Sequence, residues 1–353
     1  MDIFISINCV IIIITFLMNG FTITIFSVEK KLLDTVFNRV LLSLAVCDLI
    51  SGILIAVDVH EHLTPSLRDL TSDSAIMLRV TTDIFSTALV DCAVLHLLGI
   101  AIDRYIGLFY ALRYTEIVTE YLSKVFIASA WLICAVLALV PMTWLHHLMD
   151  GMSEEEEIWI SRYDAWYSMF SIVVFMFTPL VSFFVLFLRM FFEIRRLLLN
   201  TPQMSRRSIN YFSDQFKTCK MFTAMLLTFA ILSVPFYTTR LINDLANLQY
   251  VYMAVHPLTY QISYLLKNLS YVSNPSLYIV CNREFRKAAM KTFRGWRRHL
   301  TYALEDARVV RQQSISLRRP VTQNQDHDFT KDTKVNIKIT LDPVVENARG
   351  VSL

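Results

Sequence analysis

The chain has 353 residues, of which 55% are hydrophobic and 18% are charged, and its mean hydropathy is +0.47. A soluble protein of this size cannot hide so much apolar surface in one core, so the composition predicts a membrane protein. Few glycines (7) and prolines (9) favour helices, and no alternation of a closed β-barrel is seen. The formal net charge of +3 says little about partners, because in a membrane protein the distribution of charge among the loops carries the information. No nucleic-acid partner is expected.

Seven apolar stretches follow one another along the chain, and each is long enough to cross a membrane. About 30 Å of hydrocarbon needs roughly 20 helical residues, and such stretches lie at residues 3–27, 36–60, 76–108, 124–146, 165–198, 218–243 and 252–280. The first has no basic leader and no small-residue cleavage site, so we expect a spanning helix and not a removable signal peptide. Residues 1–280 are therefore predicted to form a seven-transmembrane helix bundle, and the fold class is an all-α membrane protein.

The charged loops between these stretches predict how the chain is oriented. Basic residues gather in every second loop, at Lys30, Lys31 and Arg39, at Arg104, Arg113 and Lys124, and at Arg189, Arg195, Arg196, Arg206, Arg207, Lys217 and Lys220. The alternate loops carry acids, among them the run Glu154 to Glu157. Because cytoplasmic loops are enriched in lysine and arginine, we expect the amino terminus outside the cell and the carboxyl terminus inside, in the plasma membrane.

The residues after the seventh stretch predict a helix on the membrane surface and then a disordered tail. Phe285, Ala289 and Phe293 recur at spacings of four, with basic residues on the other face. This pattern is typical of an amphipathic helix that lies on the inner leaflet of the lipid bilayer, and we expect it at residues 281–296. Residues 297–353 turn polar without periodicity and are predicted to be a disordered cytoplasmic tail.

The cysteines predict no structural disulfide outside the cell. All of them fall inside an apolar stretch or at its expected cytoplasmic end: Cys9, Cys47, Cys92, Cys134, Cys219 and Cys281. Disulfides form between exposed extracellular cysteines, and the predicted outer loops contain none.

Polar residues and prolines interrupt the apolar stretches at recurring positions. Polar residues are costly in lipid and mark functional sites there. In chain order these positions are Asn19, Asp48, Asp103-Arg104-Tyr105, Trp131, Pro179, Pro235 and Asn274-Pro275-Ser276-Leu277-Tyr278. Their order and spacing resemble those of rhodopsin-like G-protein-coupled receptors over about residues 10–293. Seven spans alone would also suit a transporter, a channel or an intramembrane hydrolase, but the sequence shows no inverted repeat, continuous polar path or paired catalytic groups.

The resemblance implies a receptor, not an enzyme, that binds an extracellular ligand and activates heterotrimeric G proteins. Arrestin and receptor kinases are further partners that it implies, and Ser314 and Ser316 in the tail are candidate phosphorylation sites. The implied activation switch draws on spans three, six and seven: Asp103, Arg104, Tyr105, Phe229, Pro235, Asn274, Pro275 and Tyr278.

Arg104 is the centre of this switch. Asp103 can hold its side chain at rest and release it towards span six on activation. The alternative is a plain surface ion pair, which contributes little. Gln215 stands where many members of the family carry a second acid for this arginine, so raised basal activity is expected. The usual tryptophan two residues before Pro235 is Ser233 here.

A polar core at mid-membrane is implied around Asp48, with Asn19, Ser270 and Asn274 near it. In the family this cluster holds a sodium ion, which is the one cofactor the resemblance suggests. Ala93 stands where many members supply a hydroxyl, so the alternative of a protonated, hydrogen-bonded Asp48 without sodium stays open.

Two narrower resemblances place the chain as a divergent member of the group that contains the melanocortin and adenosine receptors. Ala101-Ile102-Asp103-Arg104-Tyr105-Ile106, followed by Phe109-Tyr110-Ala111-Leu112-Arg113-Tyr114, looks like melanocortin receptors. Pro141-Met142 with Trp144, and Arg283-Glu284-Phe285-Arg286, look like adenosine receptors. The ligand itself is left open as a small molecule or a peptide, with a cationic group as one option.

The candidate ligand-binding residues lie in the outer halves of spans two, three, six and seven: Asp58, Asp83, Ser86, Arg240 and Lys267. Asp58 and Asp83 match acids with which melanocortin receptors hold calcium, but Arg79 replaces the third acid and argues against a metal. Arg240 takes the place of the asparagine that binds adenosine. Lys267 is expected to pair with Asp58 or Asp83, either as a structural ion pair or as part of the ligand site.

Overall fold

The computed structural model of the chain describes residues 3–63, 73–145, 153–200, 206–248 and 255–317, and all the regular structure in these ranges is helical. The fold class predicted from the sequence is confirmed. The long helices are α1 Ile3–Val28, α2 Val36–Leu63, α3 Asp73–Phe109, α4 Glu120–Leu145, α5 (Glu154–Ser171, Ile172–Phe177 and Thr178–Asn200 in continuous sequence), α6 Arg206–Asn247, α7 Pro257–Cys281 and α8 Arg283–Leu317.

Six helices of the described part are long and apolar enough to cross a membrane by length and composition. They are α1 to α6, and their windows match the first six predicted stretches. The helix α7 has 25 residues but is more polar, since it contains Lys267, Asn268 and Asn274. All three of these side chains are buried in the bundle. The seventh helix is therefore shielded by its neighbours, which is how a polar helix is tolerated at membrane depth.

Side-chain hydrogen bonds cap the amino-terminal end of α5. Ser153 precedes α5, where its Oγ accepts a bond from the Glu156 backbone N–H at 3.4 Å and the Glu156 carboxylate accepts one from the Ser153 N–H at 3.0 Å. This capping box starts α5 at Glu154, upstream of the predicted residue 165, because acidic residues favour the first turn of a helix. The structure likewise begins α6 at Arg206, upstream of residue 218.

The helix α3 lies at the centre of the bundle and packs against α2, α4, α5 and α6. Successive helices are antiparallel, so each end of the bundle collects residues from several of them. We call the end that contains Asp58 of α2, Arg240 of α6 and Tyr264 of α7 the upper end. The end that contains Arg104 of α3 and Tyr278 of α7 is the lower end.

A π-helical segment, Ile172–Phe177, interrupts α5. The backbone N–H of Thr178 bonds to the carbonyl of Val173, and the Thr178 hydroxyl donates to the same oxygen at 3.0 Å. Pro179 follows directly, and its missing N–H and bulky ring disturb the preceding turn. The wider turn lets Ser171 and Ile172, which are consecutive, both be buried in the bundle.

The helix α8 is longer than predicted. Asn282 caps it, since its Oδ1 accepts bonds from the backbone N–H groups of Glu284 and Phe285, both at 3.0 Å. The prediction ended the helix at residue 296 and continued with disorder, whereas the structure extends it to Leu317. Residues 297–317 contain no proline or glycine and several strong helix formers, so their polar composition was misread as disorder.

The chain divides into two compact units, Met1–Arg297 and Arg298–Leu353. The first contains the bundle and the beginning of α8. The described part of the second unit, residues 298–317, is helical, and the predicted tail beyond it lies outside the described residues. Among the side chains that the structure describes, Cys9, Cys47, Cys92 and Cys134 are free thiols, and those of Cys219 and Cys281 are outside the description.

Candidate functional site

The lower end holds the predicted pair of Asp103 and Arg104. The Arg104 Nε donates to the Asp103 carboxylate at 2.8 Å, and a second guanidinium nitrogen bonds to the same oxygen. The guanidinium also lies 4.8 Å from the ring centroid of Phe37 in α2. The Asp103 side chain is 6% exposed. This burial argues against a plain surface ion pair, because such a pair would be screened by water.

Tyr114 completes this arrangement, and its role was missed from the sequence. Its hydroxyl donates to the other oxygen of Asp103 at 2.7 Å. Burial and the neighbouring carboxylate raise the pKa of Tyr114, so that the phenol remains a donor at physiological pH. Tyr114 begins the short helical turn Tyr114–Ile117 between α3 and α4. The only sequence signal was its place in the pattern that follows Arg104.

The other predicted switch residues of α6 and α7 are held in the bundle. Tyr278 donates its hydroxyl to Asn38 of α2 at 2.9 Å, and its ring packs 4.7 Å from that of Phe285 in α8. Phe229 is 3% exposed, six residues before Pro235, which lies inside α6. Pro275 interrupts α7 in the same way. Both helices thus carry a proline at which they can bend.

Tyr105, which follows Arg104, is not directed towards the acid of the pair. Its ring stacks on that of Phe109 at 4.4 Å and packs on the small lower cluster of Leu108, Met190 and Ile194. This cluster joins α3 to the lower half of α5. Tyr105 therefore has a packing role in the described structure.

Of the residues predicted to surround Asp48, one is hydrogen-bonded to its carboxylate and the others bond to backbone carbonyls. The Asn274 amide donates to one oxygen of Asp48 at 3.2 Å, and the Asn19 amide donates to the backbone carbonyl of Tyr271 at 3.1 Å. These bonds tie α7 to α2 and α1. The Ser270 hydroxyl instead donates within α7, to the Lys267 carbonyl at 2.6 Å.

Three oxygen atoms of this core have no hydrogen-bond partner among the described residues: Asp48 Oδ1, Asn19 Oδ1 and Asn274 Oδ1. The same three residues line a cavity of about 10 Å³. Carboxylate and amide oxygens are the ligands that hard cations accept. The residues present therefore fit a sodium ion in ligand type, although Ala93 adds no oxygen to them.

A second buried polar cluster joins α2, α3 and α4, and the sequence did not predict it. Trp131 donates its indole N–H to the Ser43 hydroxyl at 2.9 Å, and that hydroxyl lies 2.8 Å from His96 Nε2. His96 Nδ1 is 2.7 Å from the backbone carbonyl of Cys92, which can only accept. Nδ1 therefore carries the proton, and Nε2 accepts from Ser43.

A cavity of about 850 Å³ lies at the upper end, between α1, α2, α3 and α7. This volume suits a drug-sized ligand. The apolar wall includes Ile3, Phe4, Leu54 and Leu265. The polar residues that line it are Asn8, Asp58, Arg79, Thr82, Asp83, Ser86, Tyr260, Gln261 and Tyr264.

Asp83 and Arg240 form an ion pair beside this cavity. An Arg240 guanidinium nitrogen lies 2.9 Å from the Asp83 carboxylate and donates to the Thr87 hydroxyl at 3.0 Å, and the Nε donates to Ser168 of α5 at 3.0 Å. The sequence predicted both residues for the ligand site but not their pairing. The pair joins α6 to α3 and α5.

Lys267 differs from its predicted role. Its ammonium donates to the Ser86 hydroxyl at 3.1 Å and lies 4.5 Å from the ring centroids of both Phe236 and Tyr264. The predicted ion pair with Asp58 or Asp83 is not the arrangement seen in the described structure, since Asp83 pairs with Arg240 and Asp58 accepts the Tyr264 hydroxyl at 3.1 Å. Aromatic faces replace a carboxylate as the main neighbours of this buried cation.

A smaller cavity of about 30 Å³ lies between α3, α4, α5 and α6. Asp91, Asp164 and Arg240 are the charged residues in its lining. Asp91 accepts bonds from Ser171 at 2.7 Å and from Tyr237 at 3.3 Å. The sequence contains no sign that the π-helical turn of α5 brings Ser171 to Asp91.

The seven-helix bundle, its polar core and the acid-bound arginine at the lower end define a membrane receptor. Residues 18–278 match the family described as 7 transmembrane receptor (rhodopsin family), and the chain belongs to this family. It is a multi-pass membrane receptor that binds a ligand and signals through G proteins, and it is not an enzyme.

Individual relatives are distant. A QRFP-like peptide receptor of Branchiostoma floridae is 24% identical over 298 residues, 81% of this chain and 76% of the relative. Adenosine receptor A3 of Canis lupus familiaris is 22% identical over 290 residues, 79% of this chain and 86% of the relative. A 5-hydroxytryptamine receptor 1D of Cavia porcellus is 26% identical over 199 residues, 56% and 50% of the two chains. The predicted likeness to adenosine receptors is confirmed, and that to melanocortin receptors stays a prediction.

Proposed function

We propose that this receptor lies in the plasma membrane with its upper end outside the cell and binds a ligand with a basic group in the cavity of about 850 Å³. The observation that carries the proposal is the course of α3. This one helix of 37 residues contributes Asp83 and Ser86 to the cavity and Asp103 and Arg104 to the lower end. A rigid element between two sites is a physical means of coupling them.

Signalling is proposed to depend on the release of Arg104 from Asp103 and Tyr114. The freed guanidinium then turns towards the cleft that α6 opens at the lower end, where a heterotrimeric G protein binds. A charged side chain with two alternative sets of partners makes a two-state switch. The buried position of Asp103 supports this reading, because the acid keeps the arginine away from the cleft at rest.

The test is guanine-nucleotide exchange on a panel of purified heterotrimeric G proteins, with membranes that contain the wild-type chain or Arg104→Ala. We expect exchange with at least one G protein for the wild type and background exchange for the variant at equal expression. Arg113→Ala is the matched control, since Arg113 is 72% exposed and belongs to the same loop region. Undiminished exchange by Arg104→Ala would contradict the proposed mechanism.

The orientation has its own test. An epitope tag before Met1 should be accessible to antibody on intact cells, and a tag after Leu353 only after permeabilisation. The basic loops at the lower end support this arrangement through the distribution of lysine and arginine. The reverse pattern of accessibility would contradict it.

We also propose that sodium binds at the polar core, held by Asp48, Asn19 and Asn274. The unpartnered oxygens of these residues support the site. Replacement of NaCl by choline chloride at constant ionic strength should change basal exchange in the wild type but not in Asp48→Asn. An equal response in both would exclude sodium at Asp48.

Arrestin and receptor kinases are proposed as regulators that act on the tail. Ser314 and Ser316 are the candidate sites, and their side chains lie outside the description. In the sequence both serines stand between Arg311 and Arg318, and arginine can form charge-assisted hydrogen bonds with phosphate groups. Agonist-dependent phosphate incorporation that Ser314→Ala with Ser316→Ala leaves unchanged would contradict these sites.

A further inference from the structure

Arg240 connects three helices at the upper end. Its guanidinium group bonds to Asp83 and Thr87 of α3 and to Ser168 of α5, with distances between 2.9 and 3.0 Å. The Arg240 side chain is 19% exposed and that of Asp83 is 40% exposed. The arginine is the more buried partner, and the aspartate is the one that an incoming group can reach.

Each partner of the pair lines a different cavity. Asp83 lines the cavity of about 850 Å³, whereas Arg240 lines the cavity of about 30 Å³. A ligand in the larger cavity therefore approaches the carboxylate of Asp83 without passing Arg240. The carboxylate already accepts a guanidinium group of this chain, so its surroundings suit a second group of the same chemistry.

A displaced Arg240 has other carboxyl groups close at hand. Asp91 and Asp164 line the smaller cavity together with it. Asp244 lies one turn further along α6, and its Oδ2 is buried with no hydrogen-bond partner among the described residues. The guanidinium can thus exchange one acid for another without entering lipid. Two alternative sets of partners for one charge give a bistable element.

We infer that the Asp83–Arg240 pair is a latch that holds α6 to α3 in the resting receptor, and that the ligand opens it by placing a guanidinium or ammonium group on Asp83. The freed Arg240 then turns to Asp164 of α5 and Asp244 of its own helix, and α6 loses its ion pair with α3. The inference deepens the proposed function and rests on it. It assigns the pair both the recognition of a basic group and the restraint of α6.

Basal nucleotide exchange tests the latch without a known ligand. Arg240→Gln and Asp83→Asn each remove the ion pair, and each should raise basal exchange roughly 5-fold or more, the lower range of coupling between sites. Arg162→Gln is the matched control, because Arg162 is an exposed arginine of upper α5 that lies over the Trp159 ring. Basal exchange in both latch variants equal to that of the wild type would overturn the inference.

Charge reversal separates the latch from a general loss of folding. Asp83→Arg combined with Arg240→Asp restores an ion pair between the same helices, so basal exchange should return towards the wild-type value from that of either single reversal. Surface labelling and thermal unfolding in detergent give the amount of folded receptor for each variant. Reversals that act additively on basal exchange would contradict a direct pair.

The chemical class of the ligand is tested with hexylguanidine and hexylurea, which have the same shape but differ in charge. At millimolar concentration hexylguanidine should raise exchange in the wild type, and hexylurea should not. Neither should act on Asp83→Asn, whose latch is already open. Equal action of the two compounds, no response to hexylguanidine, or an undiminished response in Asp83→Asn would each overturn the assignment of a basic group.

The proposed function and the latch fail differently in these assays. Exchange that is the same in the wild type and in Arg104→Ala with every G protein would remove the proposed function itself. Exchange that depends on Arg104 but ignores Arg240→Gln would leave the proposed function standing and remove only the latch.

Discussion

The helix α3 contributes the aspartate of one aspartate–arginine pair near each of its ends. The two pairs differ in what they connect. At the upper end Asp83 meets Arg240, which is 157 residues further along the chain and belongs to α6. At the lower end Asp103 meets Arg104, its immediate neighbour in the same helix. The upper pair joins helices, whereas the lower pair only fixes the direction of a side chain. Restraint of α6 and storage of the signalling arginine are therefore separate tasks in this receptor.

The sequence offers a reason for this division. In the sequence, Gln215 stands where many rhodopsin-like receptors carry an acid for this arginine, and an amide binds a guanidinium group more weakly than a carboxylate does. A weaker restraint on α6 at the lower end leaves more of this task to the upper end. The upper pair of Asp83 and Arg240 supplies such a link.

The lower pair can be broken without disturbing the upper one. Asp103→Asn removes the carboxylate that holds Arg104, and hydrogen bonds to charged groups contribute about 1.5–3 kcal/mol. Basal exchange should therefore rise roughly ten-fold or more, with the upper pair intact. Nucleotide exchange at equal surface expression measures it, with Glu116→Gln as a control in the neighbouring turn. A fall in basal exchange would show that Asp103 is needed for the active state.

Tyr114 should have a smaller effect of the same sign. Tyr114→Phe removes one hydrogen bond to Asp103 and leaves the ion pair, so about 1 kcal/mol of restraint is lost and basal exchange rises roughly five-fold. Tyr110→Phe is the matched control, since Tyr110 is 50% exposed in the same loop. Equal basal exchange in the two variants would mean that Tyr114 does not restrain the switch.

The substitution Lys267→Met should have the smallest effect on the two aspartate–arginine pairs. It lies below the upper cavity with Ser86 as its hydrogen-bond partner, so Lys267→Met leaves the Asp83–Arg240 pair in place. In a double-mutant cycle on thermal stability, Lys267→Met and Ser86→Ala should be non-additive by more than about 0.5 kcal/mol. Strictly additive effects would contradict the bond between Lys267 and Ser86.

The sequence predicted much of the fold and less of the site, and the difference has physical causes. Long apolar stretches indicate membrane-spanning helices directly. Asp103 could be paired with Arg104 because the two residues are adjacent in the sequence. Arg240 could not be assigned to Asp83, since the match depends on how α3 and α6 pack. The prediction assigned a carboxylate partner to Lys267 on charge alone. The sequence does not show that the ring centroids of Phe236 and Tyr264 lie 4.5 Å from the lysine ammonium. Residues 297–317 of α8 were misread because polarity is shared by disordered segments and exposed helices.

The most direct test of the whole account is basal nucleotide exchange in the double variant Arg240→Gln with Arg104→Ala. If opening of the upper pair acts through the lower arginine, Arg240→Gln alone raises exchange and the double variant falls to the background of Arg104→Ala. Raised exchange that persists in the double variant would contradict the account, because α6 would then be signalling without the arginine that α3 carries at its lower end.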